Sequence, residues 1–86
     1  MRTQRSWPQR FRVIVHTGPN ASVPYSAVTW MGEEKAIALA VAAHLRRHPD
    51  ADAIYDVEVE DVGPVARDTQ GAMRLERGDL ADRSEF

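Results

Sequence analysis

Gly32-Glu33-Glu34-Lys35-Ala36-Ile37-Ala38-Leu39-Ala40-Val41-Ala42-Ala43-His44-Leu45-Arg46-Arg47-His48-Pro49 is the stretch that decides the fold. Alanine and leucine are strong helix formers, and both ends of the run are labelled. Gly32 stands where an N-cap belongs, Glu33 and Glu34 put negative charge at the positive end of the helix dipole, and Arg46 and Arg47 put positive charge at its negative end. Pro49 stops the helix. Ile37, Ala40, Val41, His44 and Leu45 recur at the spacing of one helix face and are expected to meet the core. The opposite face, Ala38, Leu39, Ala42 and Ala43, carries no charge either, so a second surface is expected to pack on the back of this helix.

Outward from the helix the periodicity changes to two. From Gln9 to His16, Phe11, Val13 and Val15 alternate with Arg10, Arg12, Ile14 and His16, the pattern of a half-buried strand. Thr17-Gly18-Pro19-Asn20 is dense in turn formers and reverses the chain. Val23 to Trp30 returns as a second strand with Val28 and Trp30 on one face and Tyr25 and Ala27 on the other, so both faces are expected to be covered. Pro24 assigns that end to a sheet edge. After the helix, Ile54 to Val62 alternates Tyr55, Val57 and Val59 with Asp56, Glu58 and Glu60, and Gly63-Pro64 ends it. The expected fold is α+β, a three-stranded sheet with one packed helix in the order β-β-α-β. The third strand lies either parallel to the second or beside the first.

Residues 1–8 read as a flexible basic arm, 9–64 as a single domain and 65–86 as a charged tail interrupted by Gly71 and Gly78. Three states of the tail are compatible with its composition: disorder, a short helix over the alanine-rich back, or an arm that binds a neighbour. An 86-residue chain holds one thin core and leaves no room for a second domain around a cleft. The absence of cysteine excludes a disulfide framework and thiolate-held zinc or iron–sulfur sites. The longest apolar run, Ala36 to Leu45, is too short to span a bilayer, and the expectation is a soluble cytoplasmic protein.

The net charge of -2 conceals a gradient: residues 1–32 are +4, residues 33–48 are +1 and residues 49–86 are -7. A basic head and an acidic second half can attract each other within one chain, between two copies, or draw an outside partner of either sign, and self-association is the simplest of these readings. Arg2, Arg5, Arg10 and Arg12, interleaved with Trp7 and Phe11, are the candidates for nucleic-acid contact, opposed by the acidic strand and tail. His44 and His48 have a chelating spacing but lack the HExxH glutamate, and Arg46 and Arg47 repel a cation. Asp50, Asp52 and Asp56 fail the calcium-loop arithmetic, because Tyr55 stands where the loop needs glycine. Asp56, Glu58 and Glu60 read as a solvated sheet face or as partners of Arg10 and Arg12. No nucleophile elbow or phosphate loop is present, so neither a catalytic residue, a metal site nor a cofactor is expected.

Trp30-Met31-Gly32-Glu33-Glu34-Lys35-Ala36 entering an alanine-rich helix, followed by Tyr55-Asp56-Val57-Glu58-Val59-Glu60-Asp61-Val62-Gly63-Pro64, resembles small uncharacterised proteins of actinobacteria and their phages over residues 9–64. The resemblance implies a phage-linked or accessory role and transfers no activity. The sequence therefore points to a non-enzymatic module for protein–protein interaction, expected to form a dimer, with Ala38, Leu39, Ala42, Ala43 and Trp30 as interface candidates. The alternative is a nucleic-acid-contacting protein that grips phosphate through Arg2, Arg5, Arg10 and Arg12.

Overall fold

The computed structural model describes residues 8–49, 54–66, 69 and 74–81. Strand β1 (Gln9–Gly18) turns through Pro19 and Asn20 into β2 (Ala21–Thr29). Helix α1 (Gly32–Arg47) follows, then β3 (Asp56–Pro64) and a short β4 (Asp79–Ala81). The strands form one mixed sheet in the order β3-β1-β2-β4. The α+β class is the expected one. The strand count is corrected from three to four, because Asp79-Leu80-Ala81 leaves the charged tail and pairs in parallel with Ser26-Ala27-Val28.

β1 is central and antiparallel to both neighbours, with Val13 opposite Tyr25 on one side and Val59 on the other. The third strand thus lies beside the first and runs parallel to β2. An extra residue, Val62, bulges from β3 where the register steps from Gly63 opposite Arg10 to Asp61 opposite Phe11. Two crossovers of the same hand that travel in opposite directions across a sheet must lie on opposite faces. Accordingly α1 covers one face between β2 and β3, and Arg74 lies at the other. There Arg10 reaches back from β1 to the Arg74 carbonyl oxygen and to Asp79.

The core lies between α1 and the sheet: Phe11, Val13 and Val15 from β1, Tyr25 and Ala27 from β2, and Ala36, Ala40 and Ala43 from α1. Volume comes from the strands and close approach from the helix, whose alanines let its backbone settle on branched and aromatic side chains. This corrects the helix phase. The buried face is Ala36, Ala40, Ala43 and His44, turned by about 80° at 100° per residue from the expected face of Ile37, Ala40, Val41, His44 and Leu45, of which Ala40 and His44 stay inside. Leu45, expected inside, is 47% exposed. Gly32 has φ +87°, a conformation that side-chain-bearing residues resist, and it starts α1 after the Thr29 hydroxyl has accepted the Met31 N–H at 2.9 Å. At the other end the His48 N–H donates to the His44 carbonyl at 2.9 Å and Pro49 follows.

The two faces of β2 are covered unequally: on the side away from α1, Ser22 and Pro24 are exposed and burial is confined to the end near Val28. Tyr25 and Ala27 meet α1, while Val28, on the other face, is fully buried. Pro8 and Val65 are buried as well, and the Val65 N–H donates to the Pro8 carbonyl at 2.9 Å, which ties the end of β3 to the start of β1.

Candidate interaction surface

Rotation of α1 decides which residues are left outside. With alanines turned inward, Ala38, Val41, Ala42 and Leu45 fall on the outer side of the helix at positions i, i+3, i+4 and i+7. Ala38, Ala42 and Leu45 are exposed and Val41 is half-buried. Exposed Glu34 stands at the N-terminal end of this stripe and exposed Arg46 at its C-terminal end. Met31, 65% exposed, precedes the helix. The result is an apolar strip with small residues at its centre and opposite charges at its ends.

Of the interface candidates read from the sequence, Ala38 and Ala42 belong to this outer strip. Leu39 is half-buried and packs against the core, and Ala43 is buried within it, so neither lies on the helix back. Trp30 is half-buried just before α1. Val41 and Leu45 take the places of Leu39 and Ala43 in the strip. Their periodicity is plain in the sequence, but their size assigns them inward until the sheet is seen to supply the large side chains itself.

The opposite face of the sheet presents Arg12, Ile14 and His16 from β1, Ser22, Pro24 and Ser26 from β2, and Asp56, Glu58 and Glu60 from β3. The three carboxylate residues are exposed, as a solvated face requires. Arg12 stands in register with Glu60, and the His16 Nε2 lies 3.3 Å from a Glu58 oxygen. Arg10 is engaged elsewhere. Its Nη2 lies 2.7 Å from Asp79 Oδ2 and its Nε 3.4 Å from Oδ1, while the Ser26 hydroxyl donates to Oδ1 at 2.6 Å and the Glu76 N–H to Oδ2 at 2.8 Å. The Asp79 side chain is 2% exposed and that of Arg10 19%. Burial by itself would raise the Asp79 carboxyl pKa. The hydrogen bonds from Arg10, Ser26 and the Glu76 N–H, with the Arg10 charge, outweigh it and hold the group below the usual carboxylate range. The bond to Asp79 raises the Arg10 guanidinium in turn, against a smaller opposing effect of burial.

This clamp removes Arg10 from the set read as phosphate contacts. Arg12 is exposed, and Arg2 and Arg5 lie outside the described residues. Asp50 and Asp52 lie outside them too. Among the described residues no group of three or more His, Cys, Asp or Glu side chains is placed to hold a metal ion. Nor is any of their helices long and apolar enough to cross a membrane. His44 and His48 do approach each other, with ring centroids 4.7 Å apart, but the His44 Nε2 is buried.

Compared with family models, with curated proteins and with solved structures, the chain gives no match.

Proposed function

We propose that the protein is a non-enzymatic interaction module that forms a homodimer by laying the outer face of α1 against the same face of a second copy. The observation that carries this reading is the self-complementary layout of the strip. A two-fold axis across the middle of an antiparallel helix pair sets Ala38 of one copy opposite Ala42 of the other, and Glu34 opposite Arg46. Alanine against alanine allows close helix approach, Val41 and Leu45 flank that contact with apolar surface, and each end gains an acid–base pair. A contact that repeats itself under a two-fold rotation closes at two copies and leaves no site for a third.

Light scattering on the whole chain tests this. Ala42→Glu and Leu45→Glu change exposed positions, so each is expected to leave the monomer folded while halving the solution mass. Arg46→Glu should weaken the dimer by placing like charges opposite Glu34, and the charge-swapped pair Glu34→Arg with Arg46→Glu should restore it. Wild-type mass unchanged by Ala42→Glu and Leu45→Glu would refute this interface.

A further inference from the structure

We propose that His44 is a proton-operated latch: taking up a second proton on its imidazole loosens the C-terminal half of α1 from the sheet. The side chain is 1% exposed, wedged between α1 and β2. Its Nδ1 lies 2.8 Å from the Tyr25 hydroxyl, and the two rings meet edge to face with centroids 5.9 Å apart. Its Nε2 is buried with no hydrogen-bond partner. A neutral imidazole has one donor and one acceptor nitrogen, and the Tyr25 hydroxyl serves one of them. An imidazolium needs two acceptors, and the described residues supply one.

The surrounding charges reinforce the point. On α1 itself His48 stacks obliquely on the His44 ring, and the Arg47 guanidinium carbon stands 5.4 Å from the centre of the Tyr25 ring. β2 contributes the Tyr25 hydroxyl. The remaining strands turn apolar side chains to the core: Phe11, Val13 and Val15 from β1, Val57 and Val59 from β3, and Leu80 from β4. Asp61, level with Phe11 on β3, is exposed and accepts the Gly63 N–H. Among the described residues the ring's polar neighbours are Tyr25 and His48, and no carboxylate pairs with it. His16 also has a buried Nε2 without a hydrogen bond, but it differs from His44 in having a carboxylate beside it, a Glu58 oxygen 3.3 Å away. Burial first, and the neighbouring His48 second, lower the pKa of His44 below its ordinary 6.5.

The sign follows. Because the folded value lies below the unfolded one, the unfolded chain binds the proton first, and stability is full above pH 6.5 and falls as pH drops toward the folded value. Within that window the folding constant falls by up to about tenfold per pH unit. The inference concerns the single chain and does not depend on dimer formation.

The test is urea unfolding of the full chain at low protein concentration between about pH 8 and pH 5, with an NMR titration of the histidine ring protons. In the wild type the midpoint should drop below about pH 6.5, and the imidazole assigned to His44 should titrate below that value. His44→Asn keeps a polar partner for Tyr25 without a titratable ring and should remove most of that slope. His48→Gln should move the His44 titration upward, a shift that requires no refolding of the core. A His44 titration at or above 6.5 would overturn the proposal, as would a His44→Asn slope equal to that of the wild type.

Discussion

Asp79→Ala should detach β4 and cost about 3 kcal/mol of stability. The Asp79 carboxylate receives Arg10 at 2.7 Å, Ser26 at 2.6 Å and the Glu76 N–H at 2.8 Å while 2% exposed. Removing one member of a fully buried ion pair costs about 3–5 kcal/mol, chiefly through the charge left behind. Arg10 is 19% exposed and recovers part of its hydration, which places the expected loss at the lower end. The orphaned Ser26 hydroxyl and Glu76 N–H add to it. For a chain of this length the whole folding free energy is about 4–13 kcal/mol, so the effect is large, a fall in Tm of roughly 15 °C. Urea unfolding gives the global number, and hydrogen exchange at Leu80 and Ala81 gives the local one. β4 is held by only three residue pairs, so its amides should lose protection before those of β1. Replacing both members, Arg10→Met with Asp79→Leu, should cost less than Asp79→Ala, since no charge is stranded. A loss below about 0.5 kcal/mol with unchanged exchange at β4 would refute the clamp, because that is the range of ordinary surface substitutions.

Other consequences follow from the same contacts. Ala40 is fully buried where α1 lies on the sheet, so Ala40→Leu should push the helix outward and cost about 1–3 kcal/mol by urea unfolding, whereas Ala38→Leu on the exposed side should be near neutral in the monomer. The lowered Asp79 pKa gives a second acid transition, distinct from that of His44. Its contribution is fully present above the unfolded value of 3.8 and is lost as pH falls through the folded value, and Asp79→Asn should flatten the stability curve in that acid range alone.

How much of this was legible in the sequence depends on the range of the interactions. Phe11, Val13 and Val15 alternate along one strand and the helix carries signals at both ends, so those elements follow from local pattern. β4 does not. Asp79-Leu80-Ala81 is too short to show a period, and Arg10, which holds it, is 69 residues away. The phase of α1 was hidden for another reason. A hydrophobicity ranking turns Ile37, Val41 and Leu45 inward, whereas a sheet face already filled by Phe11, Val13, Val15 and Tyr25 accepts Ala36, Ala40 and Ala43 instead. The apolar character of the helix back was visible, and its residues were not: Ala38 and Ala42 stay, Val41 and Leu45 join them, and Leu39 and Ala43 leave. The spacing of His44 points it into the core, and its contact there with Tyr25 is made only in the assembled fold.

Dimer formation through α1 is tested most directly by the solution mass of the full chain, measured by light scattering over a range of protein and salt concentrations. A mass of twice 9.6 kDa that falls on dilution, and falls sooner in high salt where the Glu34–Arg46 pairs are screened, is the expected result. A mass of 9.6 kDa at every concentration would contradict it.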